Sequence, residues 1–216
     1  MWNKHDAMNL IGETALIPII RVDSSETALK VADAFLEGGV SIIEVTFSVP
    51  GAVDVVKELS DKLGEKVLIG TGTVLDGATA RQAILAGSEF IVSPIYSRDL
   101  IETARRYSKP VFPGAVTPTE ILEAYTMGAD AVKVFPCGNL GGASYIKAVK
   151  APLPQVPVIP TGGVNIDTAG PLLDAGAFAL GVGSAITEKK AIAAGDFGKI
   201  TENVEAFLSV ISKHKK

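Results

Sequence analysis

Histidine and cysteine are almost missing from this chain. Its 216 residues include two histidines, His5 and His214, both close to the ends, and one cysteine, Cys137. A lone cysteine closes no intrachain disulfide, so the fold does not rest on oxidising conditions and a cytoplasmic setting is expected. Without histidine beside any other motif, imidazole acid–base chemistry and histidine-ligated zinc are excluded, which leaves a covalent electron sink or a carboxylate-bound metal. Cys137 itself has no neighbouring base and is expected to act as a small apolar side chain, not a nucleophile. Basic excess is lacking too: 20 Lys and Arg stand against 24 Asp and Glu, for a net charge of -4. Neither nucleic acid nor an anionic membrane is therefore an expected partner. No apolar run approaches the ~18 to 20 residues of a membrane span, and the opening MWNKHDAMNLIGET lacks the apolar centre of a secretion signal. No glycine fingerprint for a dinucleotide is present, and no cofactor or metal is expected.

Small aliphatic residues dominate what is there. The chain is 47% hydrophobic but only 6% aromatic, with 22 glycines, a composition suited to a large core of Val, Ile, Leu and Ala. Short aliphatic runs recur, each followed by an amphipathic stretch such as SSETALKVADAFLEGG or TPTEILEAYTMGA, the pattern of buried parallel strands with crossover helices. The runs begin near Ala15, Val40, Lys66, Glu89, Pro110, Asp130, Val156 and Phe178, at intervals of 20 to 26 residues. Gly38-Gly39, Gly87, Gly128 and Gly176 fall where each helix should hand over to the next strand. Eight even repeats without a linker predict an α/β fold: a single (β/α)8 barrel, a TIM barrel, over residues 1–216, with a short N-terminal helix.

In such a barrel the chemistry sits at the carboxyl ends of the strands. Lys133 lies in DAVKVFP, where neither face of a barrel strand offers an ammonium group water; desolvation lowers its pKa and suits it to form an imine with a carbonyl substrate. Glu44, between Ile43 and Val45, is equally costly to bury unless it has a partner or a task, such as proton transfer beside Lys133; an ion pair holding the barrel together is the alternative. Arg21 closes the first run with a fork able to hold a carboxylate or phosphate. PTGGVN (160–165) and GVGSAI (181–186) supply glycines that let backbone N–H groups approach an anion, so Gly162, Gly163, Gly183 and Ser184 are assigned to a phosphate, with plain tight turns as the alternative. GTGT (70–73) ends the third run with hydroxyls that can meet a carboxylate.

Taken in order, EVTF at 44–47, GTGTV at 70–74, SP at 93–94, KVFP at 133–136, PTGGV at 160–164 and GVGS at 181–184 resemble the motifs of the 2-keto-3-deoxy-6-phosphogluconate (KDPG) and 4-hydroxy-2-oxoglutarate (KHG) aldolases. The resemblance covers roughly residues 15–186. It implies a class I lyase whose partner is a small-molecule keto acid, cleaved to release pyruvate. It further implies that Lys133 is the Schiff-base lysine and Glu44 the proton-transfer residue. Thr73, Pro94 and Phe135 would then line the pocket at the keto-acid end, and Thr161, Gly162, Gly163 and Ser184 would hold the phosphate. A homotrimer is implied as well. One position departs from the pattern: many relatives carry Arg where this chain has Ser48, and Arg21 is the expected substitute for the missing charge at the substrate carboxylate. A phosphate-binding isomerase or epimerase on the same barrel, or a catalytically silent oligomeric barrel, are the rival readings.

Overall fold

All eight expected strands form, the fifth in two pieces, in the computed structural model, which describes residues 2–214. The predicted N-terminal helix is α1 (Lys4–Thr14), capped by the Asn3 side chain and ended by Ala15 in the left-handed conformation. There follow β1 (Leu16–Ile20), α2 (Ser25–Glu37), β2 (Ile42–Thr46), α3 (Ala52–Leu63), β3 (Leu68–Gly72), α4 (Gly77–Leu85), β4 (Phe90–Val92) and α5 (Arg98–Arg106). The fifth run gives β5 (Val111–Phe112) and β6 (Gly114–Ala115), then α6 (Pro118–Thr126), β7 (Val132–Val134), α7 (Ala143–Lys150), β8 (Val158–Pro160), α8 (Ile166–Asp174) and β9 (Leu180–Val182). Two further helices, α9 (Lys189–Ala194) and α10 (Phe197–His214), close the described chain. Each of these choices has a local cause. Thr117 and Glu120, for example, form a reciprocal cap that starts α6 one residue before Pro118, whose fixed φ suits the first turn.

Every strand pair is parallel, but the strands do not form one continuous ladder: a six-stranded sheet runs β5-β4-β3-β2-β1-β9 and a three-stranded one β6-β7-β8. Two prolines account for both breaks. Pro113 stands between β5 and β6, and Pro160 ends β8 where that strand should donate to β9; neither has an N–H to give. Across the second break there remain an isolated bridge, Thr161 to Gly181, and a hydrogen bond from the Phe178 N–H to the Val158 carbonyl at 2.9 Å.

Side chains alternate between two apolar layers. Ile43, Val45, Ile69, Val132 and Val134 pack outward among helix residues such as Phe35, Val55 and Phe207. Ile17, Ile42, Leu68, Phe90, Phe112, Ala131, Ile159 and Ala179 instead converge on one another, together with Ala7 and Ile11 of α1. Helix α1 thus closes the amino-terminal end of the strands with its buried side. The scarcity of aromatics is felt in this inner layer, whose buried rings are those of Phe90 and Phe112, centroids 5.8 Å apart, with Trp2 and Phe178 packed at its margin. Gly70 makes room for them, since a Cβ there would stand 2.3 Å from Cζ of Phe90. Of the predicted handover glycines, Gly39, Gly87, Gly128 and Gly176 adopt positive φ, while Gly38 stays in the right-handed helical region as the C-cap of α2.

Candidate active site

Two residues further along three of the inner-layer strands, the same alternation turns polar. Glu44 follows Ile42, Lys133 follows Ala131 and Thr161 follows Ile159, so all three share the inner face at the carboxyl end of the strands. Glu44 is paired in register with Ile19 on one side and Gly70 on the other; Lys133 is paired with Gly114 and Ile159. Both are nearly sealed from solvent, at 2% and 3% exposure.

Burial governs the electrostatics of the pair. Desolvation raises the Glu44 carboxyl above the ordinary carboxylate range, offset in part by the charges of Lys133 and Arg21. Desolvation lowers the Lys133 amine, with Glu44 opposing the shift and Arg21 adding to it. The two groups therefore feel each other's charge, yet among the described residues no ion pair joins them. Glu44 Oε1 is the only buried side-chain oxygen or nitrogen among the described residues left without a hydrogen-bond partner. An oxygen in that state costs roughly 1–3 kcal/mol, which a reacting hydroxyl or a protein-bound proton would recover. Gly72 creates the space Glu44 occupies: a Cβ on it would lie 1.8 Å from that oxygen. The Nζ of Lys133 lies 5.4 Å from the centre of the Phe135 ring.

Beside this pair opens a cleft of about 240 Å³, lined among others by Arg21, Phe135, Thr161, Gly162, Gly163, Gly183 and Ser184. Seven of the residues singled out in the sequence thus meet in one place. Gly162 and Gly163 adopt positive φ, and a Cβ on Gly163 would meet Cα of Gly138 at 2.9 Å, so both the turn and the close chain approach demand glycine there. Among the described residues, the N–H groups of Gly163 and Ser184 find no acceptor within the chain. Gly181, opposite Thr161, again lacks a side chain of necessity: a Cβ would stand 2.2 Å from Thr161 Oγ1.

Ser48, Thr73 and Pro94 lie one or two residues beyond the ends of β2, β3 and β4 and are not among the residues lining that cleft. The exposed Ser48 hydroxyl is hydrogen-bonded to Thr46 Oγ1, which in turn donates to the Ile20 carbonyl, tying the end of β2 to the residue before Arg21. Thr73 adopts φ 59, an uncommon state for a residue with a Cβ and one that typically costs about 1–3 kcal/mol. Pro94 packs its backbone against Gly114. Cys137 is buried, and burial pushes its thiol up to about 11. Sequence reasoning passed over Ile19, Val164, Gly181, Thr187 and Lys189, which also line the cleft. The last two lie just beyond GVGS, in a stretch whose polar residues read as an ordinary surface loop. Among the described residues no three His, Cys, Asp or Glu side chains gather as a metal site requires.

The sequence profile of the KDPG and KHG aldolases matches residues 8–203. The 2-dehydro-3-deoxy-phosphogluconate aldolase of Treponema pallidum (strain Nichols) is 31% identical over 196 residues, 91% of this chain and 93% of that protein. The KHG/KDPG aldolase of Escherichia coli (strain K12) is 30% identical over 199 residues, 92% of this chain and 93% of its own. Among solved structures, the KDPG aldolase from Legionella pneumophila, captured with pyruvate as a covalent carbinolamine, superimposes with a TM-score of 0.85 at 31% identity, covering 93% of this chain and 97% of that one. With likeness running nearly end to end, the chain belongs to the KDPG and KHG aldolase family.

Proposed function

We propose that this protein is a class I aldolase that cleaves KDPG to pyruvate and glyceraldehyde 3-phosphate, and KHG to pyruvate and glyoxylate. The observation that carries the reading is the desolvated Lys133 amine on the same inner face as the desolvated Glu44 carboxyl. In this reading the neutral amine of Lys133 adds to the C2 ketone to give a carbinolamine, the Glu44 carboxyl protonates the carbinolamine hydroxyl, and water leaves, so that an iminium and a Glu44 carboxylate remain. The iminium draws electrons from the C3–C4 bond. Glu44 takes the C4 hydroxyl proton as that bond breaks, the aldehyde departs, and Glu44 returns the proton to C3 of the enamine. Water then hydrolyses the pyruvate iminium and frees Lys133.

Arg21, within electrostatic reach of both groups and on the cleft wall, supplies positive charge for the anionic substrate where Ser48 has none. Thr161, Gly162, Gly163, Gly183 and Ser184 receive the phosphate through N–H and hydroxyl groups, while Thr73, Pro94 and Phe135 bound the keto-acid end. The two parallel sheets are read as arcs of one closed (β/α)8 barrel and the chain as a single domain, acting in the cytoplasm as a homotrimer; light scattering on the purified protein checks the last point.

The direct test is incubation with pyruvate and borohydride in excess EDTA, followed by intact mass and peptide mapping. A reduced pyruvate adduct on Lys133, absent in Lys133→Ala, is the expected result. No adduct would favour an isomerase or epimerase, which needs no imine.

A further inference from the structure

The cleft wall holds two cations and no carboxylate. Arg21 and Lys189, the latter at the start of α9, both line it. Among the described residues neither forms an ion pair. Among the described residues the acidic neighbour Glu188 makes no ion pair with Lys189; its Oε1 accepts from Asn203 Nδ2 at 3.2 Å. Between the glycine loop and Lys189 the chain is held firmly: the amides of Ile186 and Thr187 both donate to the Gly183 carbonyl at 2.9 Å, and Thr187 Oγ1 donates to the same oxygen at 3.0 Å. That turn fixes where Lys189 begins, five residues after Ser184, whose amide has no acceptor among the described residues.

We propose that Lys189 is the specificity-determining contact for the phosphate of the substrate, so that this chain selects phosphorylated 2-keto-3-deoxy acids over the shorter dicarboxylate. The proposal rests on the aldolase reading above. A phosphate ester at the far end of KDPG lies twice as many bonds from the imine carbon as the distal carboxylate of KHG. A dianion at that reach meets Gly163, Ser184 and the Lys189 ammonium, whereas the shorter substrate stops near Thr161 and Arg21. Arg21 serves both substrates and so cannot discriminate; Lys189 touches only the longer one. The neighbouring Lys190 is exposed like Lys189 but does not line the cleft.

The test compares kcat/KM for KDPG and KHG in the full-length protein and in Lys189→Ala, Lys189→Arg and Lys190→Ala. The KDPG-to-KHG ratio is expected to fall about tenfold in Lys189→Ala, the loss of one charge-assisted contact, mainly through KM. Lys189→Arg should restore most of it and Lys190→Ala should leave it unchanged. A ratio that does not move in Lys189→Ala, that moves equally in Lys190→Ala, or that favours KHG in the unaltered protein overturns the proposal. Borohydride trapping of pyruvate separates the two levels. An adduct on Lys133 with an unmoved ratio removes the role of Lys189 alone, whereas no adduct in the unaltered protein removes the aldolase reading and this inference with it.

Discussion

Gly72 and Glu44 exclude each other's bulk: the carboxyl of Glu44 fills the space in which a side chain on Gly72 would begin, with Oε1 only 1.8 Å from the position of that Cβ. Residues on neighbouring strands thereby decide whether the glutamate can reach the inner face at all. Gly72→Ala should displace Glu44 and cost at least the ~10²- to 10⁴-fold that a lost acid–base group costs, close to the loss in Glu44→Gln. Steady-state kinetics of both variants, alongside near-UV circular dichroism to confirm packing, check this. An active Gly72→Ala protein would mean that Glu44 has no proton to move.

The pH profile of imine trapping should report the Lys133 amine. Burial lowers its pKa, so the protonated, unreactive form appears only below a pH well under the ordinary lysine range, and trapping falls as pH drops through that point. Glu44 opposes the shift; in Glu44→Gln the acid limb therefore moves to lower pH. Arg21 adds to it, so in Arg21→Ala the limb moves to higher pH. Rates of adduct formation with pyruvate and borohydride across pH give the limb in each variant. Movement of both variants in the same direction would contradict the arrangement of charges.

Cys137 should be inert in the folded protein. With its thiol pushed up to about 11, only about one molecule in ten thousand carries the thiolate at pH 7, and the side chain is buried as well. A maleimide or iodoacetamide reagent should leave the native protein unmodified over hours and label it fully after denaturation, as read by intact mass. Rapid labelling of the native state would require an opening of the segment after β7.

How much could be read in advance differs by level. The eight strands, the helix handovers and the residues at strand ends were legible because burial of parallel strands leaves unbroken aliphatic runs and because a charged residue inside such a run stands out, as Lys133 and Glu44 do. Arg21, Gly162, Gly163, Gly183 and Ser184 were legible at the ends of the runs, Phe135 and Thr161 only through the family resemblance, and all seven line one cleft. Neither route found Lys189, since a lysine in a polar loop carries no sign of what it faces.

By itself, then, the sequence determined the periodicity, the order of the elements and the identity of the groups that burial would perturb, all of which depend on local pattern and on the cost of removing charge from water. Only the tertiary structure decided the rest. Two prolines, each lacking an N–H at a ladder position, divided the parallel strands into two sheets. The register of β2 against β3 set Glu44 in the space left by Gly72. The turn built on the Gly183 carbonyl carried Lys189 to the cleft. These are relations between residues far apart along the chain, fixed by which backbone groups pair and which side chains exclude one another, and no stretch of sequence contains them.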